Sequence, residues 1–230
     1  MIHAQNIVKY YGTGESRFQA LRGIDLDIGD GESAVILGAS GSGKSTLLNI
    51  LSGLERPDGG NIFYGDEDIT ALSDAALTRF RRDNIGFVFQ QYYLLPGMTV
   101  DKNVRMGADL ASNNEYGDII KAVGLEDKCG KYPSQLSGGE QQRVAIARAI
   151  AKKPKVLFAD EPTGALDEST GRQVLDFILR LQSELGFTLI MVTHNANIAQ
   201  TAKTVIKMNS GRIASVNKNE SVKTAYEIGW

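Results

Sequence analysis

What this chain has little of narrows it first. Its 230 residues include one cysteine, Cys129, two histidines and one tryptophan. A single thiol makes no internal disulfide and has no companions at metal-ligand spacing. That argues against a disulfide scaffold or a zinc module and favours a reducing compartment. No uninterrupted apolar run approaches the roughly 20 residues that cross a bilayer. The opening MIHAQNIVKYYG lacks the charged-then-apolar pattern of a secretory leader. Neither sign of charge is in excess: 25 Lys and Arg stand against 27 Asp and Glu, for a formal net charge of −2. A dedicated nucleic-acid binder is therefore disfavoured. The expectation is a soluble, cytosolic chain that can still sit on a membrane protein.

What is present is an ordinary globular balance, 42% hydrophobic and 23% charged, with length for one core or a core with a small extra lobe. Apolar patterning switches repeatedly between strand-like and helix-like periods. Short β-rich runs occur at Ser33–Leu37, Ile85–Phe89, Val156–Ala159, Thr188–Val192 and Thr204–Met208. Helical patterns lie at Lys44–Ser52, Ser73–Asp83, Glu140–Lys152 and Ser169–Leu185. In the last, Val174, Phe177, Ile178, Leu181 and Leu185 form one apolar stripe. Apolar strands alternating with helices predict a mostly parallel sheet covered on both faces. Ile7, Val8 and Leu21–Ile28 instead suggest antiparallel strands joined through Gly12–Gly14. Residues Val100–Pro133 read as a smaller helical insertion. The closing NKNESVKTAYEIGW reads as a loosely held tail, although Tyr226, Ile228 and Trp230 offer apolar groups for docking.

The clearest chemistry is GASGSGKS, Gly38–Ser45, which fits G-x-x-x-x-G-K-[ST] between a buried strand and a helix. Gly38, Gly41 and Gly43 let backbone N–H groups close around phosphate oxygens without Cβ clashes. Ala39, Ser40, Ser42 and Thr46 complete the loop and the first helical turn. Lys44 supplies a point charge for outer phosphates, and Ser45 a hydroxyl for Mg²⁺. In KVLFADEP, Asp160 and Glu161 stand where another strand ends. An acidic pair before proline can simply be a solvated turn. With Lys44 upstream, Asp160 suits Mg²⁺ and Glu161 suits orienting or deprotonating water. His194, in IMVTHN, leaves a third strand end and can contact a terminal phosphate. Ligands of open α/β sheets collect at such ends.

A second anion-binding element raises a question. LSGGEQQRVAIARA, from Leu136, opens a helix with Ser137, Gly138 and Gly139, whose N–H groups are free. A chain with one good phosphate loop has no evident use for another.

Assembled in this order, the motifs resemble the ATP-binding subunits of ABC transporters over residues 1–215. The resemblance implies an α/β P-loop NTPase core, mostly parallel sheet with helices on both faces, plus an N-terminal antiparallel β subdomain and a small helical subdomain. It implies one ATP-binding domain over 1–230: core 1–90 and 155–215, helical subdomain about 91–154, tail 216–230. Tyr11 is similar to the family's adenine-stacking aromatic. Gln90 is similar to the glutamine that touches Mg²⁺ and water at the joint with the helical lobe. Gly164–Asp167 is similar to its dimer-contacting loop. The implied cofactors are ATP and Mg²⁺. The implied partners are a second copy of the chain, paired head to tail so that Ser137–Gly139 face the other copy's ATP, and an integral-membrane permease. No nucleic acid is implied.

The wording FVFQQYYLLPGMTVDKNV, ADEPTGALD and SGGEQQRVAIARA resembles the branch serving lipoprotein-releasing, macrolide-exporting and antimicrobial-peptide-exporting permeases. That implies a peripheral protein at the cytoplasmic face of the membrane, driving export of a peptide, lipoprotein or drug-like substrate. The alternative is a non-transporting mechanical coupler or regulator, as in related cell-division ATPases. Tyr92, Tyr93, Leu94 and Leu95 are unusually apolar for a loop. They suit either permease docking or core packing.

Overall fold

The computed structural model describes residues 1–230. Strand β1 (Ile2–Tyr11) turns at Gly12 and Gly14 into antiparallel β2 (Phe18–Ile28). Strand β3 (Ser33–Leu37) leads through the glycine-rich loop into α1 (Lys44–Leu51). Then β4 (Gly59–Tyr64) and β5 (Glu67–Asp68) return beside β1, giving an antiparallel sheet of order β2-β1-β4-β5. Next come α2 (Asp74–Asn84), β6 (Ile85–Val88), α3 (Val100–Leu110), α4 (Tyr116–Ala122) and α5 (Gly138–Ala151). The chain continues through β7 (Val156–Asp160), α6 (Glu168–Leu185), β8 (Thr188–Thr193), β9 (Thr204–Asn209) and β10 (Arg212–Lys218). The larger sheet has order β10-β9-β3-β8-β7-β6, parallel throughout except for β10 at one edge. This is the α/β P-loop architecture with its added antiparallel sheet. No helix is long and apolar enough to cross a membrane.

Successive side chains of a strand point to opposite faces, and here they feed two separate cores. Ala34 and Ile36 of β3, Val156 and Phe158 of β7, and Ile190 and Val192 of β8 join the cluster under the antiparallel sheet and α1. Val35 and Leu37, Leu157 and Ala159, and Leu189 and Met191 join the other, with α5 and α6. Each buried Val, Leu or Ile is worth about 1.5–3 kcal/mol. The parallel strands are thus clamped from both sides, which makes the loops at their carboxyl ends a rigid platform.

Helix starts follow from side-chain caps. Ser73 and Thr99 accept hydrogen bonds from Ala76 N and Lys102 N, and Asp167 from Thr170 N. Helix α5 begins at Gly138, ahead of the Glu140 expected from periodicity. Ser137 accepts from Glu140 N, while the Glu140 carboxylate accepts from Ser137 N at 2.8 Å. This capping box fixes the helix start through two polar contacts that hydrophobic patterning does not register.

Strands β4, β5 and β10 were not foreseen. Two glycines open β4, and β10 is an edge strand with largely exposed, polar residues. The tail is a correction. Pairing continues to Lys218, and Ala225 and Ile228 are buried. The Trp230 ring lies on Gly171, where a Cβ would fall 2.2 Å from a ring atom. Arg172 donates to Ala225 O and Ile228 O, both at 2.8 Å. Three apolar side chains and a glycine on α6 fasten a segment whose polar composition suggested looseness. The helical segment is likewise continuous with the core: Val100, Val104 and Ala108 share a cluster with Leu157 and Val174.

Candidate functional site

A cavity of about 730 Å³ opens where β3, β7 and β8 end. It is lined by Tyr11, Ser40, Gly41, Gly43, Lys44, Ser45, Thr46, Gln90, Asp160, Glu161 and His194, among others. Tyr11 and His194, far apart in the sequence, therefore meet on one surface. Gly38, Ala39 and Ser42 belong to the same loop behind it.

The loop's shape needs its glycines. Gly41 and Gly43 have φ of 75° and 98°, and a Cβ on Gly38 would lie 2.5 Å from Ser42 Oγ and 2.6 Å from Met208 O. Lys44 is buried, with Nζ donating to Gly38 O at 2.9 Å and Ala39 O at 3.0 Å. Ser42 is also buried, and its Oγ has no partner. A buried hydroxyl without a partner, an ammonium at the cavity wall and backbone in a left-handed curl fit a phosphate chain.

Ser45 Oγ donates to Asp160 Oδ1 at 3.2 Å. Burial raises the Asp160 carboxyl above its ordinary range, and the neighbouring Glu161 adds to the rise; the Ser45 hydroxyl and Lys44 partly offset it. No group of three or more His, Cys, Asp or Glu side chains is placed to hold an ion alone. A hydroxyl, a carboxylate and the Gln90 amide are hard oxygen donors. They fit Mg²⁺ completed by phosphate oxygens and water, and fit a thiolate-seeking metal badly. Beside them, His194 Nδ1 lies 2.9 and 3.0 Å from the two Glu161 carboxylate oxygens. The carboxylate accepts, so Nδ1 carries the hydrogen, which leaves Nε2 as the acceptor nitrogen of a largely exposed ring. Gln90 Nε2 and Glu161 Oε2 both crowd Gly164, at 3.2 and 3.4 Å from where its Cβ would be.

At the base end, the Tyr11 hydroxyl donates to Glu55 Oε2 at 2.7 Å, and Lys9 Nζ lies 3.0 Å from Glu55 Oε1. Tyr11 pairs in register with Phe18, their ring centroids 5.7 Å apart. Phe18 and Arg22 also line the cavity and were missed from the sequence. The signal was available only in the hairpin register, since residues seven apart face each other once the turn is fixed.

Ser137, Gly138 and Gly139 do not line this cavity. They pack elsewhere: a Cβ on Gly139 would meet Thr170 Cγ2 at 2.1 Å, and one on Gly138 would lie 3.5 Å from Leu166. Gly139 thus allows close contact between α5 and α6, a packing demand beside any role toward an anion. Ser137 Oγ accepts the capping bond with a lone pair, so its O–H remains free to donate. Of the loop Tyr92–Leu95, Tyr93 and Leu95 are exposed, whereas Leu94 packs on the core.

Residues 21–164 match the family model described as ABC transporter. A putative ABC transporter ATP-binding protein of Mycoplasma pneumoniae is 43% identical over 234 residues; the alignment covers all of this chain and half of that protein. The lipoprotein-releasing system ATP-binding protein LolD of Geobacter metallireducens is 42% identical over 221 residues, 94% of this chain and 98% of that one. A bacterial ABC transporter cassette solved as a dimer superposes with a TM-score of 0.86 at 39% identity, covering 96% of this chain and 100% of that chain. A second dimeric cassette structure, bound to ADP and phosphate after hydrolysis, gives 0.85 at 38%, covering 96% of this chain and all of that one. The chain spans about half the length of the Mycoplasma relatives it matches from end to end, and it belongs to the ABC transporter ATP-binding family.

Proposed function

We propose that the cavity is one half of an ATP site and that a second copy of the chain, head to tail, supplies the other half. Tyr11 stacks on the adenine, and the Gly38–Thr46 backbone with Lys44 holds the phosphates. Ser45, Asp160 and Gln90 would hold Mg²⁺, which when bound neutralises phosphate oxygens and orients them. Glu161 accepts the proton of the attacking water as its oxygen bonds to the γ-phosphorus and the bond to ADP breaks. His194, fixed through Nδ1 on Glu161, presents Nε2 toward the γ-phosphate. The supporting observation is that Ser137–Gly139, a helix start with a free hydroxyl proton, lie outside the cavity of their own chain. Their dipole and donors suit a γ-phosphate held by the partner. ATP then bridges two chains, and loss of phosphate removes the bridge.

The bridge's opening and closing is what would drive an attached permease at the cytoplasmic face of the membrane. The exposed Tyr93 and Leu95, next to Gln90, suit its docking. The likeness to a lipoprotein-releasing cassette supports export of a lipoprotein, peptide or drug-like molecule.

Mixed dimers test the shared site. Lys44→Met on one chain and Ser137→Ala on the other put both lesions into one site and leave the second wholly wild-type. Such dimers are expected to regain about half of wild-type turnover if the sites act independently, while each homodimeric variant is crippled. A mixed dimer as inactive as both parents would overturn the reading.

Asp160 gives a pH-linked test. Its folded-state pKa is raised, so its favourable contribution to stability is present at low pH and is lost as pH rises through that value. At neutral pH the ionised group is a cost that a bound cation relieves. Asp160→Asn should raise the melting temperature of the ligand-free protein by about 1–3 °C. It should also remove the extra stabilisation that Mg²⁺ gives over ATP alone. Calorimetry at pH 5 and 8 checks both, with the stabilising effect of the substitution larger at pH 8.

A further inference from the structure

Glu161 occupies an unusual piece of backbone. Its φ is 48°, in the left-handed region, and it precedes Pro162, which itself restricts the residue before it. Strain of this kind costs about 1–3 kcal/mol and persists only where surrounding contacts impose it. Three hydrogen bonds impose it here. Glu161 N donates to Val192 O at 3.0 Å, and Gly164 N donates to Glu161 O at 3.0 Å. The third comes from a side chain: Gln142 Nε2, on α5, donates to Pro162 O at 2.8 Å.

Gln142 is fully buried, and its Oε1 has no partner. An amide buried with one end unpaired is a poor choice for stability, since the orphaned acceptor has lost its water. Methionine, of similar length, would fill the same space without that cost. What the amide supplies is the N–H aimed at Pro162. It also sits one helical turn behind Ser137–Gly139, and α5 begins against Leu166 and Thr170, which flank the same loop on its far side.

We propose that Gln142 is a positioning residue: through the Pro162 carbonyl it sets the turn that aims Glu161 of its own chain. This rests on Glu161 being the proton-accepting carboxylate. Helix α5 then serves two sites, the partner's phosphates with its first residues and its own carboxylate with Gln142. Seating of the partner's nucleotide against the helix start is passed by a rigid turn to the hydrolytic group beneath it.

Gln142→Met tests this. The expected result is a kcat lowered by about 10-fold or more, a KM for ATP within about 2-fold of wild type, and a melting temperature unchanged or raised. A stabilised yet slower enzyme is not what lost packing would give. Chain placement supplies a second measurement. In dimers with Lys44→Met on one chain, the surviving site uses Lys44 and Glu161 of the other. Gln142→Met on the chain that keeps Lys44 should slow that site, whereas on the Lys44→Met chain it should leave turnover near the level of the same dimer without it. Equal losses in both placements, an unchanged kcat in the homodimer, or a kcat that falls with melting temperature would overturn the proposal. Inactivity of the single-lesion dimer itself counts against the shared site, and the homodimer's kcat and KM then decide the role of Gln142.

Discussion

Glu161→Gln is expected to lower ATP turnover by roughly 10²- to 10⁴-fold, the range a well-placed general base contributes, while leaving nucleotide uptake intact. Glutamine keeps the volume of the side chain and an oxygen that can accept from His194 Nδ1, so the pair at 2.9 Å persists. What disappears is the basic oxygen that we propose takes the water's proton. The phosphate loop, Lys44 and the Ser45–Asp160 pair are untouched. ATP affinity, read by calorimetry or a fluorescent analogue, should therefore stay within about 3-fold of wild type, a change of under ~1 kcal/mol. A second consequence follows from the proposed ATP-bridged dimer. With ATP bound and uncleaved, gel filtration should show a stable dimer that wild type forms only transiently. Retained turnover would move the proton acceptor elsewhere, with His194 the next group at hand.

Much of this site was legible because it rests on short local patterns. Gly38–Ser45 announces its loop, since positive φ at Gly41 and Gly43 requires glycine, and Asp160, Glu161 and His194 each follow an apolar strand. Strand order was not legible. Nothing local says that β3 lies between β8 and β9, yet that order brings the three strand ends together. Phe18 and Gln142 were hidden for the same reason, as each matters through a partner distant in sequence: Tyr11 across a bulged hairpin, Pro162 across a helix contact. The tail misled in the opposite direction. Of its three candidate docking residues, Tyr226 stays exposed, Ile228 is buried, and Trp230 lies on Gly171 of α6, which looks like an ordinary helix interruption until the indole is laid upon it. Glycine in a strand–turn–helix loop and glycine under an indole have identical letters and different causes.

The reach of Lys44 supports the other large expectation. Its ammonium has three hydrogens, and Gly38 O and Ala39 O take two of them. At least one donor and the whole charge remain for phosphate, in a half-enclosed cavity where charge acts more strongly than in open water. Lys44→Met retains most of the stem and removes the charge. Hydrogen bonds to charged groups are worth about 1.5–3 kcal/mol, so ATP affinity should fall by roughly 10- to 150-fold. Turnover at saturating ATP should fall by at least about 10²-fold, because charge on the transferring phosphoryl group is then unsupported. The loss should be greater for ATP than for ADP, since the outer phosphate depends most on the ammonium. Lys44→Arg should not restore the site: a planar guanidinium is too broad to lie buried between two loop carbonyls. Titration calorimetry with both nucleotides, beside phosphate release, measures each quantity separately. Equal losses for ATP and ADP would place the ammonium on an inner phosphate, and wild-type affinity in the methionine variant would remove Lys44 from the site altogether.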